Sequence, residues 1–80
     1  MKRIEYEALL ADYPDVVTLP VFCKMLGGIG DGTARKLLQE NRVEHFIIRT
    51  TYYIPKEKVI DYLMSSHYRK YRYKLRHRIE

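Results

Sequence analysis

The sequence predicts a mostly α-helical domain with a small β-hairpin, and three observations carry that prediction. Apolar residues recur at helical spacing on both sides of a glycine cluster at 27–32. A stretch rich in β-branched and aromatic residues follows at 43–54. A further amphipathic segment then opens at Pro55. Eighty residues hold one domain, near the low end of what folds on an ordinary core. Eight Tyr and two Phe supply large packing surfaces in a chain without Trp.

At residues 2–12, Ile4, Ala8 and Leu9 fall at loose helical spacing, with Tyr6, Leu10 and Tyr13 adding apolar surface. A short helix is expected, ended where Pro14 pushes Tyr13 away from helical angles. Val16-Val17 reads as an extended lead-in, too short to be more. In the next helix Thr18 suits the N-cap, its hydroxyl accepting a first-turn amide, and Pro20 is tolerated because its missing N–H costs nothing there. Val21, Phe22, Met25 and Leu26 form the apolar face. Gly27-Gly28 ends the helix, and Ile29 is the expected anchor of the corner. The second helix of the pair begins near Gly30-Asp31, where Asp31 favours the positive end of the dipole. Ala34, Leu37, Leu38 and Val43 would face inward; Thr33, Arg35, Lys36 and Gln39 would face outward. Helix, glycine corner, helix with a short basic outer face is the pattern of a helix-turn-helix, although small helical proteins of other kinds share it.

Beyond Asn41, a helix terminator, the expected hairpin has a strand at 45–48, a turn at 49–51 and a second strand at 52–54. Period-two alternation turns Phe46, Ile48, Tyr52 and Ile54 inward. The turn holds neither Gly nor Asn-Gly, so its type stays open. Pro55 then opens a helix whose stripe is Val59, Ile60, Leu63 and Met64. The last segment fits two templates. Tyr68, Tyr71, Leu75 and Ile79 continue a helical stripe, whereas Tyr71, Tyr73 and Leu75 alternate with Arg72, Lys74 and Arg76 as a strand does. Length and continuity favour helix.

Charge divides the chain into a domain at 1–66 and a basic tail at 67–80. The tail holds six basic residues and one acidic; the rest holds nine of each, so the whole net charge of +5 lies in the tail. A polyanionic partner is expected, nucleic acid first and an anionic membrane second. No apolar run reaches the roughly 18 residues that span a bilayer, and the N-terminus lacks the apolar core of a signal peptide. The lone Cys23 cannot form an internal disulfide and is expected as a buried thiol, in keeping with a cytoplasmic location. An enzyme cannot be assembled. His45, His67 and His77 have no carboxylate or thiol at ligand-like spacing, and Cys23 lacks a Cys-x-x-C partner. The glycine cluster lacks the preceding strand and the Lys-Ser/Thr ending of a phosphate loop. Neither cofactor nor metal is expected.

The order helix, glycine corner, helix, ribbon, Ile-Pro-Lys, helix resembles the excisionase-type helix-turn-helix family, related to the MerR activators. DVVTL at 15–19, MLGGIGDGTARKLL at 25–38 and YYIPKEKVIDYL at 52–63 carry the resemblance, which covers about 50 of the 80 residues. It implies a winged helix-turn-helix. The N-terminal helix and the basic, helical C-terminal tail added to it are read from the residues, and the tail lies outside the shared module. The second helix of the pair would enter the major groove, and the hairpin would touch an adjacent minor groove. Thr33, Arg35 and Lys36, with Gln39 on the same outward face, would then contact DNA, and Arg49, Thr50 and Thr51 would form the wing tip. Gly30 stands where the family has Ser, Asp31 where it often has Lys or Arg, and the tip lacks the usual Gly and basic pair. These departures remove positive charge from the DNA face.

Side-chain chemistry agrees in kind. Arg35 can pair bidentately with guanine O6 and N7, Lys36 can reach a phosphate or second base, and Thr33 can donate to a phosphate. Arg49 suits a minor groove or a phosphate. Arg69, Lys70, Arg72 and Lys74, interleaved with Tyr, suit a phosphate backbone. Each of these residues also has an ordinary reading as solvated surface. The implied function is sequence-specific binding to double-stranded DNA at the end of a mobile element. There the protein would self-associate along the site, bend it, and bias a tyrosine integrase towards excision. Eighty residues leave no room for an effector domain, which argues against a full MerR activator. The alternatives are a small regulator of a phage or conjugative element with the same fold, or a protein-interaction module whose tail docks on an acidic partner.

Overall fold

A computed structural model describes residues 2–70. In chain order the elements are α1 (Arg3–Leu9), β1 (Val16–Thr18), α2 (Leu19–Met25), α3 (Asp31–Gln39), β2 (Phe46–Ile48), β3 (Thr51–Pro55) and α4 (Lys56–Leu63). A last helix, α5, starts at Ser66 and reaches Lys70, the final described residue. The fold is mixed: helices around a three-stranded antiparallel sheet.

The helix pair is the centre of the packing. Phe22 and Leu38 are fully buried and meet Leu19, Met25, Leu26, Ile29, Ala34, Leu37 and Val43 in one apolar cluster. Both helices end in the same way. Beyond α2, the N–H of Gly27 donates to the Lys24 carbonyl and that of Gly28 to the Cys23 carbonyl. Beyond α3, Asn41 donates to Leu38 and Arg42 to Leu37. Each is a Schellman ending, which needs a left-handed residue after the cap. Gly27 (φ 89°) supplies it at the corner and Asn41 (φ 58°) at the second end. Thr18 stands at the N-cap of α2, but its side chain makes no capping hydrogen bond. Its backbone is part of β1 and lies opposite Tyr53 of β3.

That strand is the first correction. Val16-Val17 is more than a lead-in, because β1 pairs antiparallel with β3 and gives the sheet the order β1-β3-β2. Val17 lies opposite Ile54, and both are buried. A two-stranded ribbon is marginal in water; a third strand against the helices supplies the missing hydrogen bonds and apolar cover.

The second correction concerns the hairpin. Ile54 faces the core and Tyr52 is half-buried against it, but Phe46 and Ile48 do not face inward. The register sets Phe46 opposite Tyr53 and Ile48 opposite Thr51, on the sheet face away from Ile54. Ile47, opposite Tyr52, has the inward phase, and all three β2 residues are exposed. A one-residue change of phase transposes the faces of a strand. The tip is a two-residue turn at Arg49-Thr50, both with positive φ (49° and 69°), as the I′ hairpin turn requires.

Smaller departures lie on α1, α4 and α2. Ile4, Ala8 and Leu9 are exposed on α1, and Tyr6, Leu10 and Tyr13, also at helical spacing, pack inward instead. On α4, Met64 is exposed and Tyr62 takes its place in the core beside Val59, Ile60 and Leu63. Cys23 is half-buried rather than buried. The Ile-Pro-Lys element has a structural function: β3 runs through Pro55 directly into α4, and the Lys56 ammonium donates to the carbonyls of Tyr13 (2.9 Å) and Leu10 (3.4 Å). A cation there complements the negative, carbonyl end of α1.

Candidate nucleic-acid interface

The inward stripe Ala34, Leu37 and Leu38 fixes the rotation of α3 and turns the opposite face to solvent. Arg35, Lys36 and Gln39 are exposed on that face, and Thr33 is half-buried. The hairpin stands beside the N-terminal end of α3. Asp31 and Arg35 line one groove with Thr50, Thr51 and Tyr52 of the hairpin and Thr18, Leu19 and Pro20 at the start of α2. The structure therefore brings Arg35 together with Thr50 and Thr51. Thr33, Lys36, Gln39 and Arg49 do not line this groove.

Charge within the site is uneven. Arg35 Nε donates to Asp31 Oδ2 at 2.9 Å, a pair one helical turn apart. Both side chains are more than half exposed, so the pair contributes only about 0.3–0.5 kcal/mol to stability. Lys36 and Arg49, by contrast, make no ion pair among the described residues. The hydroxyl of Thr50 donates to the Arg49 carbonyl.

Three cations elsewhere on the body have an acidic partner close by. Arg3 pairs with Asp61, Lys58 with Glu44 at 3.1 Å, and Arg42 with Glu40 at 3.5 Å. Among the described residues of the body, Lys36 and Arg49 share the lack of an ion pair with Lys2 and Lys24, so unmatched positive charge is not confined to this surface. Burial pushes the Cys23 thiol up, with the Asp31 carboxylate adding to the effect, so a nucleophilic thiolate is disfavoured beside the groove.

The start of the tail lies at the other end of α3. Tyr68 packs on the core with its ring edge-on to Tyr62, and Tyr62 hydrogen-bonds His67 Nδ1 at 2.9 Å. Burial holds the His67 imidazole below its ordinary range, and the Arg42 charge lowers it further. Arg69 and Lys70 are exposed on α5. The nine residues of α3 separate the two ends by about 13 Å. Arg72 and Lys74, and the helix expected through 71–80, lie outside the described residues.

Sequence reasoning missed two residues that shape this surface. Asp31, expected only as a dipole partner, also pairs with Arg35; an acid four residues before an Arg is the available signal. Lys56 was read only as part of a motif, and its partners at Leu10 and Tyr13 are too distant in sequence for any local pattern to reveal.

Among the described residues no helix is long and apolar enough to cross a membrane. Comparison with known proteins returns nothing: no family model, no curated protein and no solved structure matches the chain. The excisionase-type resemblance therefore rests on the residues quoted for it.

Proposed function

We propose that the chain is a sequence-specific binder of double-stranded DNA with a winged helix-turn-helix fold, acting as an excisionase or recombination directionality factor. The observation that carries the reading is the juxtaposition of Arg35 on α3 with the hairpin tip across one groove. A helix of this diameter fits the major groove, where Arg35 can meet a guanine edge. A hairpin at its flank then falls on the neighbouring backbone or minor groove, where the unpaired Arg49 is placed to act. Lys36, unpaired on the same helix, is the phosphate contact. The tail extends the contact along the duplex from the far end of α3. The partner in excision would be a tyrosine integrase, with further copies of this chain alongside on the DNA.

Footprinting on DNA flanking the chain's own gene tests binding, site and copy number together. A protected site with several adjoining copies is expected, and protection no different from that on unrelated DNA would overturn the reading. Arg35→Ala should cost roughly 1–3 kcal/mol at one base pair and relax preference there. A uniform loss on every sequence would reduce Arg35 to a phosphate contact. Because Tyr68 packs on the body, the tail is best cut after Lys70. Losing Arg72, Lys74, Arg76 and Arg78 should make the slope of log K against log salt shallower by about 3–4, from roughly 0.9 per phosphate, with sequence preference kept. Circularly permuted gel shifts separate an excisionase, which bends its site strongly, from a simple regulator with the same fold.

A further inference from the structure

Asp31 is an acid on a surface that proposed contact with DNA should make basic. Its carboxylate is at the first position of α3, lines the groove with the hairpin tip, and accepts a hydrogen bond from Arg35 Nε at 2.9 Å. Among the described residues the two Nη groups of Arg35 make no hydrogen bond. A guanidinium bonded at Nε leaves its terminal fork, Nη1 and Nη2, free and biased towards one plane. That fork matches guanine O6 and N7. A free Arg side chain carries about 2 kcal/mol of rotamer entropy and serves a phosphate as well as a base. An exposed pair worth a few tenths of a kcal/mol removes part of that freedom before contact. The same negative charge repels phosphates, so it weakens binding to arbitrary duplex while leaving the guanine contact intact.

We infer that Asp31 is the specificity-determining partner of Arg35: it aims the guanidinium fork at a guanine edge and suppresses non-specific binding at the same groove. The inference rests on the DNA-binding reading above. Asp31 acts through Arg35 and is a positioning residue; its exchange should therefore alter discrimination more than fold.

The test compares the full-length wild type, Asp31→Asn and Asp31→Glu. Each is used to select from a duplex library with a randomised core, and each is titrated against the selected duplex, the duplex changed at its preferred guanine, and a scrambled duplex. The wild type should lose roughly tenfold or more at the changed guanine. Asp31→Asn should bind the scrambled duplex about two- to fivefold more tightly, since one repulsive charge is gone. Its penalty at the changed guanine should fall several-fold. Asp31→Glu, which still pairs with Arg35 one turn away, should restore the wild-type penalty. Thermal melting of all three should nearly coincide, since an exposed pair stabilises little. An Asp31→Asn protein that gains affinity equally on all three duplexes, with its guanine penalty unchanged, overturns the inference and leaves the DNA-binding reading standing. A wild type that selects no sequence at all overturns both.

Discussion

The chain has two phenylalanines, and they mark two regions that obey different rules. Phe22 sits in the helix pair and is fully buried; Phe46 sits in the hairpin, is 43% exposed and stacks on Tyr53 with centroids 5.6 Å apart. Around Phe22 the apolar pattern and the buried face coincide. Around Phe46 they part, because β2 carries Phe, Ile and Ile and buries none of them. Helices that share a core must hide their apolar stripe on each other. A hairpin that projects beyond the core is held by its hydrogen bonds to β3 and by cross-strand pairs, and its side chains are left for solvent or a partner.

Exchanging the two rings is the most forceful way to break the comparison. Phe22→Ala empties a site with no room to collapse and should cost about 3–5 kcal/mol, enough to unfold much of so small a domain. Phe46→Ala removes a half-wet stack and should cost about 1 kcal/mol. Urea denaturation of both variants reads the difference. Equal losses would mean that the outer sheet face is covered after all, and the contrast between the regions would vanish.

Backbone conformation sharpens the same contrast at smaller scale. The corner enters left-handed space with Gly27 and Gly28, whereas the hairpin enters it with Arg49 and Thr50. An L side chain there costs roughly 1–2 kcal/mol, most of all when β-branched. A Cβ added to Gly28 would meet no atom within 4 Å, so Gly28→Ala should lose about 1 kcal/mol through the backbone alone. Thr50→Gly should gain about 0.5–1 kcal/mol, the relief of strain less the added freedom of the unfolded chain. Melting temperatures of opposite sign are expected. The hairpin thus keeps polar side chains at its tip at the expense of stability.

Legibility followed the same division. The glycine corner, the Ile29 anchor, the inward faces of α2 and α3 and the end at Asn41 could be read directly, because a helical stripe with one apolar side fixes one rotation. The hairpin was legible as a hairpin, yet its phase was not. Three residues of near-equal hydrophobicity, Phe46-Ile47-Ile48, give period two no preferred face. On α1 the sets Ile4-Ala8-Leu9 and Tyr6-Leu10-Tyr13 both have helical spacing, and only packing against the rest of the fold chose between them. β1 was hidden because its partner lies more than 30 residues away, at Tyr53–Pro55. In the candidate site, exposure of Arg35, Lys36 and Gln39 followed from the α3 stripe, whereas the groove shared with Thr50 and Thr51 needed the tertiary fold.

Asn41 gives the smallest effect and the finest discrimination between the two regions. It closes α3 as Gly27 closes α2, with the same pair of hydrogen bonds, but it brings a side chain to a left-handed φ of 58°. Asn tolerates that conformation because its short polar side chain bonds locally, and it follows Gly as the choice at such an ending. Asn41→Gly should therefore shift stability by no more than about 0.5 kcal/mol, strain relief and chain entropy nearly cancelling. The chemical denaturation midpoint measures it against Thr50→Gly in the same background. If Asn41→Gly gained as much as Thr50→Gly, left-handed strain would be a general property of this chain rather than one confined to the hairpin tip. A near-zero shift at Asn41 beside a clear gain at Thr50 would place the strain where Arg49 is held out to solvent.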